Sequence, residues 1–180
     1  MSLSPTKLKI LETMLLNNGS AKASQIAKDA EAEFPSTMMH LLDLIRKGYA
    51  SSPEKGQYII TDKGKEAIGI PETTTENAKA ILAHTSHENA FHFYTAIEEP
   101  LNIYAYSLQN FLDDIKQIDA KSLEFHTFRG DFESWLICLG DIELAKKIAL
   151  LKEKKLTGEE LRRRLQSIIE NRCAVLSALI

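Results

Sequence analysis

The chain has 180 residues, 44% of them hydrophobic, and a net charge of −3. That length allows one large domain or two small ones, and so small a charge excludes a global attraction to nucleic acid or to acidic membranes. No uninterrupted apolar run is long enough to span a bilayer, and the N-terminus lacks the basic leader and cleavage site of a signal peptide, so a cytoplasmic protein is expected.

Residues 1–70 carry nine Lys and Arg against eight Asp and Glu; residues 71–180 carry thirteen against seventeen. Any pull on phosphate must therefore be local. Cys138 and Cys173 sit in apolar, helix-like contexts without Cys-x-x-Cys spacing, and are expected to be two buried thiols in a reducing compartment.

The first element is a helix opened by Ser4 as N-cap and Pro5 at the first helical position. Leu8, Ile10, Leu11, Met14 and Leu15 recur at helical spacing, and Asn17–Gly19 ends the run. A second helix follows, with Ser24 as its expected cap and Ile26, Ala27 and Ala30 facing inward. A third begins at "FPST" and ends at Gly48, with Arg46 and Lys47 in its last turn, where cations suit the helix dipole. Tyr49 starts a short strand, "SPEKG" turns the chain, and Gln57 to Ile60 return as a second strand. Thr61 caps a short helix, "DKGKEAI".

The markers "LLDLIRKGYA", a hairpin and "YIITDKGKEAI" resemble the winged helix-turn-helix of prokaryotic transcriptional regulators. Leu44, Gly48, Tyr49, Ile60, Thr61 and Gly64 fall at the family's characteristic places. The resemblance implies a third helix in the major groove of duplex DNA and a wing touching phosphate or the minor groove. Met38, Leu41, Leu44 and Ile45 are expected to face the core. Ser36, Thr37, Met39, His40 and Asp43 are then expected outward, joined by Lys47 and by Ser52, Lys55 and Gln57 of the wing. Ser and Thr can exchange hydrogen bonds with base edges or phosphates, and Met39 can meet a thymine methyl. The helix departs from expectation in having no Arg before Arg46, and Asp43 would repel phosphate. Some winged helices dock proteins instead.

"GIPETTTEN" shifts the composition, so we place a boundary after residue 70. Residues 71–180 are expected to form an all-α bundle. Thr75 caps "ENAKAILAH", Ser86 caps "HENAFHFYTAI" and Asn102 caps "IYAYSLQNFLDDIKQI". Asp141 starts another helix, and Thr157 with Glu160 makes a capping-box pattern before the last one. There Leu161, Leu165, Ile168, Ile169, Cys173, Leu176 and Leu179 form an apolar stripe, suited either to core packing or to a dimer interface. The aromatic segment, "SLEFHTFRGDFESWL" and "LGDIELA" are similar to an uncharacterised, mainly archaeal family of helical domains, a resemblance that implies no activity.

The stretch "EFHTFRGDFESWL" concentrates charged side chains beside a tryptophan. As a helix corner, it places Leu123 and Phe128 inward on one helix, makes Asp131 the N-cap of the next, and buries Trp135, Leu136 and Leu139. His126 and Arg129 are left over. His126 either satisfies a buried partner or joins Arg129 and Trp135 in a pocket for a small anionic effector. His84, His87 and His92 lack a metal-site spacing, since Ser86 would split the pair. No catalytic order and no phosphate loop is present, so neither cofactor nor catalytic residue is expected. The leading expectation is a mainly α, homodimeric DNA-binding regulator with a helical dimerisation or sensor domain. A protein-interaction adaptor is the alternative.

Overall fold

The computed structural model describes residues 3–180, and the chain divides into two compact units, Met1–Glu72 and Thr73–Ile180. In the first unit the order is α1 (Pro5–Leu16), β1 (Ser20–Lys22), α2 (Ala23–Asp29), α3 (Phe34–Arg46), β2 (Ala50–Ser51), β3 (Gln57–Ile60) and α4 (Asp62–Ala67). The three strands form an antiparallel sheet in the order β1-β3-β2. Ile10, Leu11, Met14, Ile26, Leu41 and Leu44 are buried together with Tyr58 and Ile60 from β3. Met38 and Ile45 pack against this core half-buried.

Local physics explains the boundaries. Ser4 and Pro5 stand where a helix start requires them. Lys22, not Ser24, caps α2, because the pairing of Lys22 with Gln57 carries the extended backbone up to the first helical residue. Strand β2 begins at Ala50 rather than Tyr49, whose carbonyl instead accepts from the Thr61 N–H. The Thr61 hydroxyl accepts from the Gly64 N–H at 3.1 Å, capping α4. Gly64 has a steric cause: a Cβ there would sit 2.2 Å from the Tyr49 carbonyl oxygen.

The second unit contains α5 (Thr75–Leu82), β4 (Phe91–Ala96), β5 (Glu99–Ala105), α6 (Leu108–Gln117), α7 (Ala120–Arg129), α8 (Asp131–Leu139), α9 (Ile142–Glu153) and α10 (Gly158–Ala178). Its all-α expectation is corrected, because β4 and β5 form an antiparallel hairpin. Phe91 and Phe93 alternate inward with the half-exposed His92 and Tyr94, a period of two that no helix accommodates. Ser86 heads only a short 3-10 turn, and Asn102 lies within β5 at φ +56° rather than capping a helix. Pro100 pairs with Tyr94 beside a register shift in a two-stranded ribbon, an edge and irregular setting in which proline is tolerated.

Phe91 and Phe93 enter an aromatic cluster. The ring of Phe91 lies 5.6 Å from Phe111, 5.1 Å from Phe132 and 5.6 Å from Trp135, centroid to centroid. Such edge and tilted pairs contribute about 0.5–1.5 kcal/mol each beyond their buried area. They tie the hairpin to α6 and α8.

Thr74, not Thr75, caps α5: its hydroxyl accepts from the Asn77 N–H and Asn77 Oδ1 accepts from the Thr74 N–H. Thr157 stands at the N-cap of α10 but makes no side-chain capping bond, and Glu124 Oε1 accepts from the Gly158 N–H at 2.8 Å instead. Arg162 donates to the carbonyls of Ile115 and Ile118, satisfying the open end of α6.

In α10 the stripe Leu161, Leu165, Ile168, Ile169, Cys173 and Leu176 is buried, while Leu179 is exposed. Arg172, on the same helix, is 2% exposed. Its guanidinium donates to both carboxylate oxygens of Asp141, to Glu143 and to Thr73, and Lys147 Nζ lies 3.3 Å from Glu143. Two cations thus offset two carboxylates inside the unit, the condition under which buried charge is tolerated. Cys138 is exposed and Cys173 is buried, and both are free thiols; the expectation that both are buried fails at Cys138, which lies on the outer face of α8. Burial pushes the Cys173 thiol up to about 11.

Candidate functional site

Two surfaces gather the residues singled out from the sequence. The first is α3 with the β2–β3 hairpin. Met39 is 61% exposed and His40 and Ser36 are half-buried. Thr37 is corrected from outward to buried: its hydroxyl donates to the Glu33 carbonyl at 3.0 Å, one turn back, and leaves no group for a ligand.

The hairpin residues divide as well. Lys55 is exposed at the turn. Ser52, also exposed, donates to the Glu54 and Gln57 carbonyls and so holds the turn. Gln57 accepts from the Ser20 hydroxyl across the sheet.

Asp43 is not a lone negative charge. Lys7 bonds its carboxylate, Lys47 stands 2.9 Å away, and the two together hold its carboxyl down at about 2. One carboxylate between two ammonium groups leaves a local charge of about +1, so the repulsion of phosphate expected from Asp43 does not arise. The same helix also exposes Phe34 and Leu42, so three large apolar side chains of α3 meet solvent.

The second surface is the corner between α7 and α8. Gly130, at φ +79°, is at once the last cap of α7 and the first cap of α8. A left-handed residue allows this one-residue connection. Asp131 therefore falls inside α8 and is corrected from its expected role as N-cap. Its carboxylate turns back instead: Oδ2 lies 2.8 Å from His126 Nδ1 and accepts from Arg129 Nε at 3.1 Å.

His126 is 3% exposed. Its Nε2 accepts the backbone N–H of Tyr94 at 2.8 Å. An acceptor at Nε2 places the ring proton on Nδ1, which donates to Asp131. The imidazole is thus neutral and used at both nitrogens, a latch between strand β4 and the corner. Burial lowers its proton affinity, against the opposing pull of Asp131. No ring nitrogen is left for proton transfer to a ligand.

Arg129 is half exposed and sits over the Phe125 ring, its guanidinium carbon 4.9 Å from the centroid. Around it a cleft of about 340 Å³ opens between the hairpin and the corner. Phe91, Tyr94, Phe125 and His126 line it, with Ile97, Glu98 and Arg129 toward solvent. Trp135 is not part of that lining. Its indole N–H donates to the Asn89 carbonyl at 2.9 Å and its ring packs 5.0 Å from Phe111. Phe128, expected inward, is exposed, and Phe125 is half-buried on the cleft side of the helix.

The hairpin side of this cleft is the part that the all-α expectation for residues 71–180 does not contain. The alternation in "FHFYTA" was the signal available. Among the described residues no group of three or more His, Cys, Asp or Glu side chains is placed to hold a metal ion, and no helix is long and apolar enough to cross a membrane.

No curated protein and no solved structure matches the chain. Residues 84–170, which include the hairpin, the His126 latch and the cleft, match the model of a family of unknown function (DUF5752).

Proposed function

We propose that the chain is a DNA-binding transcriptional regulator whose first unit is a winged helix-turn-helix and whose second unit senses a ligand or pairs two copies. The observation that carries the reading is the first unit's arrangement: a three-helix core on a β1-β3-β2 sheet, with α3 and a hairpin turn both presenting exposed side chains. In this reading α3 enters the major groove. Ser36, Met39 and His40 meet base edges, and Lys47 and Lys55 meet phosphates, which position the protein without reading sequence. Binding alone is the mechanism, and no bond is made or broken. Basic residues are few, so two copies on paired half-sites would supply the phosphate contacts that one lacks.

The test is titration of the full chain against a pool of random duplex DNA at low and moderate salt, with the solution mass recorded. Salt-sensitive binding that selects a consensus supports the reading. Lys55→Glu should weaken binding to all sequences alike and reduce the salt slope by about one unit. Wild-type slope and affinity in that variant would remove the hairpin from the interface.

A second reading has its own observation. Phe34, Met39 and Leu42 are 50%, 61% and 54% exposed on α3, which suits an apolar partner surface better than a phosphate backbone. Absence of DNA binding at low salt would favour this adaptor function. Leu42→Glu should then abolish retention of the protein partner while leaving the melting temperature unchanged.

A further inference from the structure

We propose that the cleft between the β4–β5 hairpin and the α7–α8 corner binds a small aromatic carboxylate. It lies wholly within the second unit and gives a ligand class to the sensing role in the reading above; its test involves no DNA, so its failure is distinguishable from a failure of DNA binding.

The cleft's volume of about 340 Å³ is at the small end of ligand pockets, room for one ring with a short side chain. Its inner surface is aromatic: Phe91, Tyr94 and Phe125 line it, side chains against which a planar ring packs favourably. His126 is spent on the Tyr94 N–H and on Asp131, so it offers shape rather than a hydrogen bond.

Asp131 and His92 also line the cleft, but Asp131 Oδ2 is held by His126 and Arg129 and His92 Nε2 by the His87 carbonyl, so the cation facing a ligand is Arg129. Two contacts hold it without a ligand: its guanidinium carbon lies 4.9 Å from the Phe125 centroid and its Nε donates to Asp131 Oδ2. Those contacts use one edge of the guanidinium. The two terminal nitrogens have no other partner among the described residues, and they form a fork that matches the two oxygens of a carboxylate. A side chain already fixed loses little freedom on binding, which favours affinity. Glu98 is the one opposing charge not already bonded, and it stands at the exposed hairpin turn, where water screens it.

The experiment is calorimetric titration of the full chain with phenylacetate, with acetate, benzyl alcohol and 2-phenylethylamine as comparisons. Phenylacetate should bind saturably. Acetate lacks the ring and the amine reverses the charge, so neither should bind. Benzyl alcohol keeps the ring without the charge-assisted pair and should bind about tenfold more weakly or worse. Arg129→Gln should weaken phenylacetate by a similar factor with no more than a small fall in the unliganded melting temperature, since its bond to Asp131 is exposed. The proposal is overturned if no probe saturates, if the amine binds as well as the acid, or if Arg129→Gln binds phenylacetate as the wild type does. The probe comparison is made on the wild-type chain and does not depend on any variant folding.

Discussion

Replacing Asp131 by alanine separates a helix cap from a latch. A cap contributes about 1 kcal/mol, and its loss leaves solvent-accessible N–H groups that water can serve. In the structure, Asp131→Ala removes the acceptor for a His126 Nδ1–H that is 3% exposed. Stranding a buried donor costs about 1–3 kcal/mol. The Arg129 contact is exposed and adds at most about 1 kcal/mol. The loss should therefore be about 1–4 kcal/mol, read from urea unfolding followed by circular dichroism. Asp131→Asn keeps an acceptor oxygen and should lose distinctly less. A cycle with His126→Phe should show a coupling of about 1–3 kcal/mol, because Asp131 has little to hold once the imidazole is gone. Equal losses in Asp131→Ala and Asp131→Asn, or additivity with His126→Phe, would refute the latch.

The same histidine makes stability depend on pH. Its folded pKa lies below the unfolded value of about 6.5, so the unfolded chain binds the proton first. Its contribution is full above about pH 6.5 and is lost as the pH falls from there toward the folded pKa. Asp114 acts in the opposite sense: burial raises it to about 6, so it favours the folded state as the pH falls. Melting temperatures of Asp114→Asn between pH 7 and pH 5 should therefore fall more steeply than those of the wild type, and adding His126→Phe should flatten the decline. An unchanged slope in the double variant would refute the assignment. At the buried charge cluster, Arg172→Met removes the guanidinium that Asp141 and Glu143 share and should cost about 3–5 kcal/mol. Adding Asp141→Asn restores the balance while keeping a capping oxygen for Leu144, so the double variant should be more stable than the sum of the single losses, as thermal unfolding would show.

The α7–α8 corner illustrates where sequence reasoning reaches and where it stops. Gly130 as a helix break and Trp135 and Leu136 as a buried face follow from spacing and chain chemistry. Asp131 looked like a cap because aspartate before an apolar run is the usual signal. A one-residue connection moved it inside the helix and released its carboxylate for His126. Thr37 is a similar case: a hydroxyl on a helix has a ready local acceptor one turn back, so its polarity did not require exposure. Trp135, expected in a pocket with His126 and Arg129, lies outside the cleft lining because its indole N–H donates to the Asn89 carbonyl.

What the sequence alone determined are features with local causes. These are the helix starts at Pro5 and Asp141, the buried stripes of α1 and α10, the stops at Gly48 and Gly140, and the turn before β3. Each follows from backbone preference or from apolar spacing within a few residues. Only the tertiary structure decided the β4–β5 hairpin, the pairing of Arg172 with Asp141 and Glu143, and the latch from His126 to Tyr94. Phe91 and Phe93 could have served a helix or a strand by composition. They became a strand because the cluster of Phe111, Phe132 and Trp135 offers one apolar surface, and alternate residues of an extended chain are what reach it. Arg172 and Asp141 stand thirty-one residues apart, and no local rule marks them as partners. Burial chose them, because a charge removed from water must find its counterion wherever the fold has placed it.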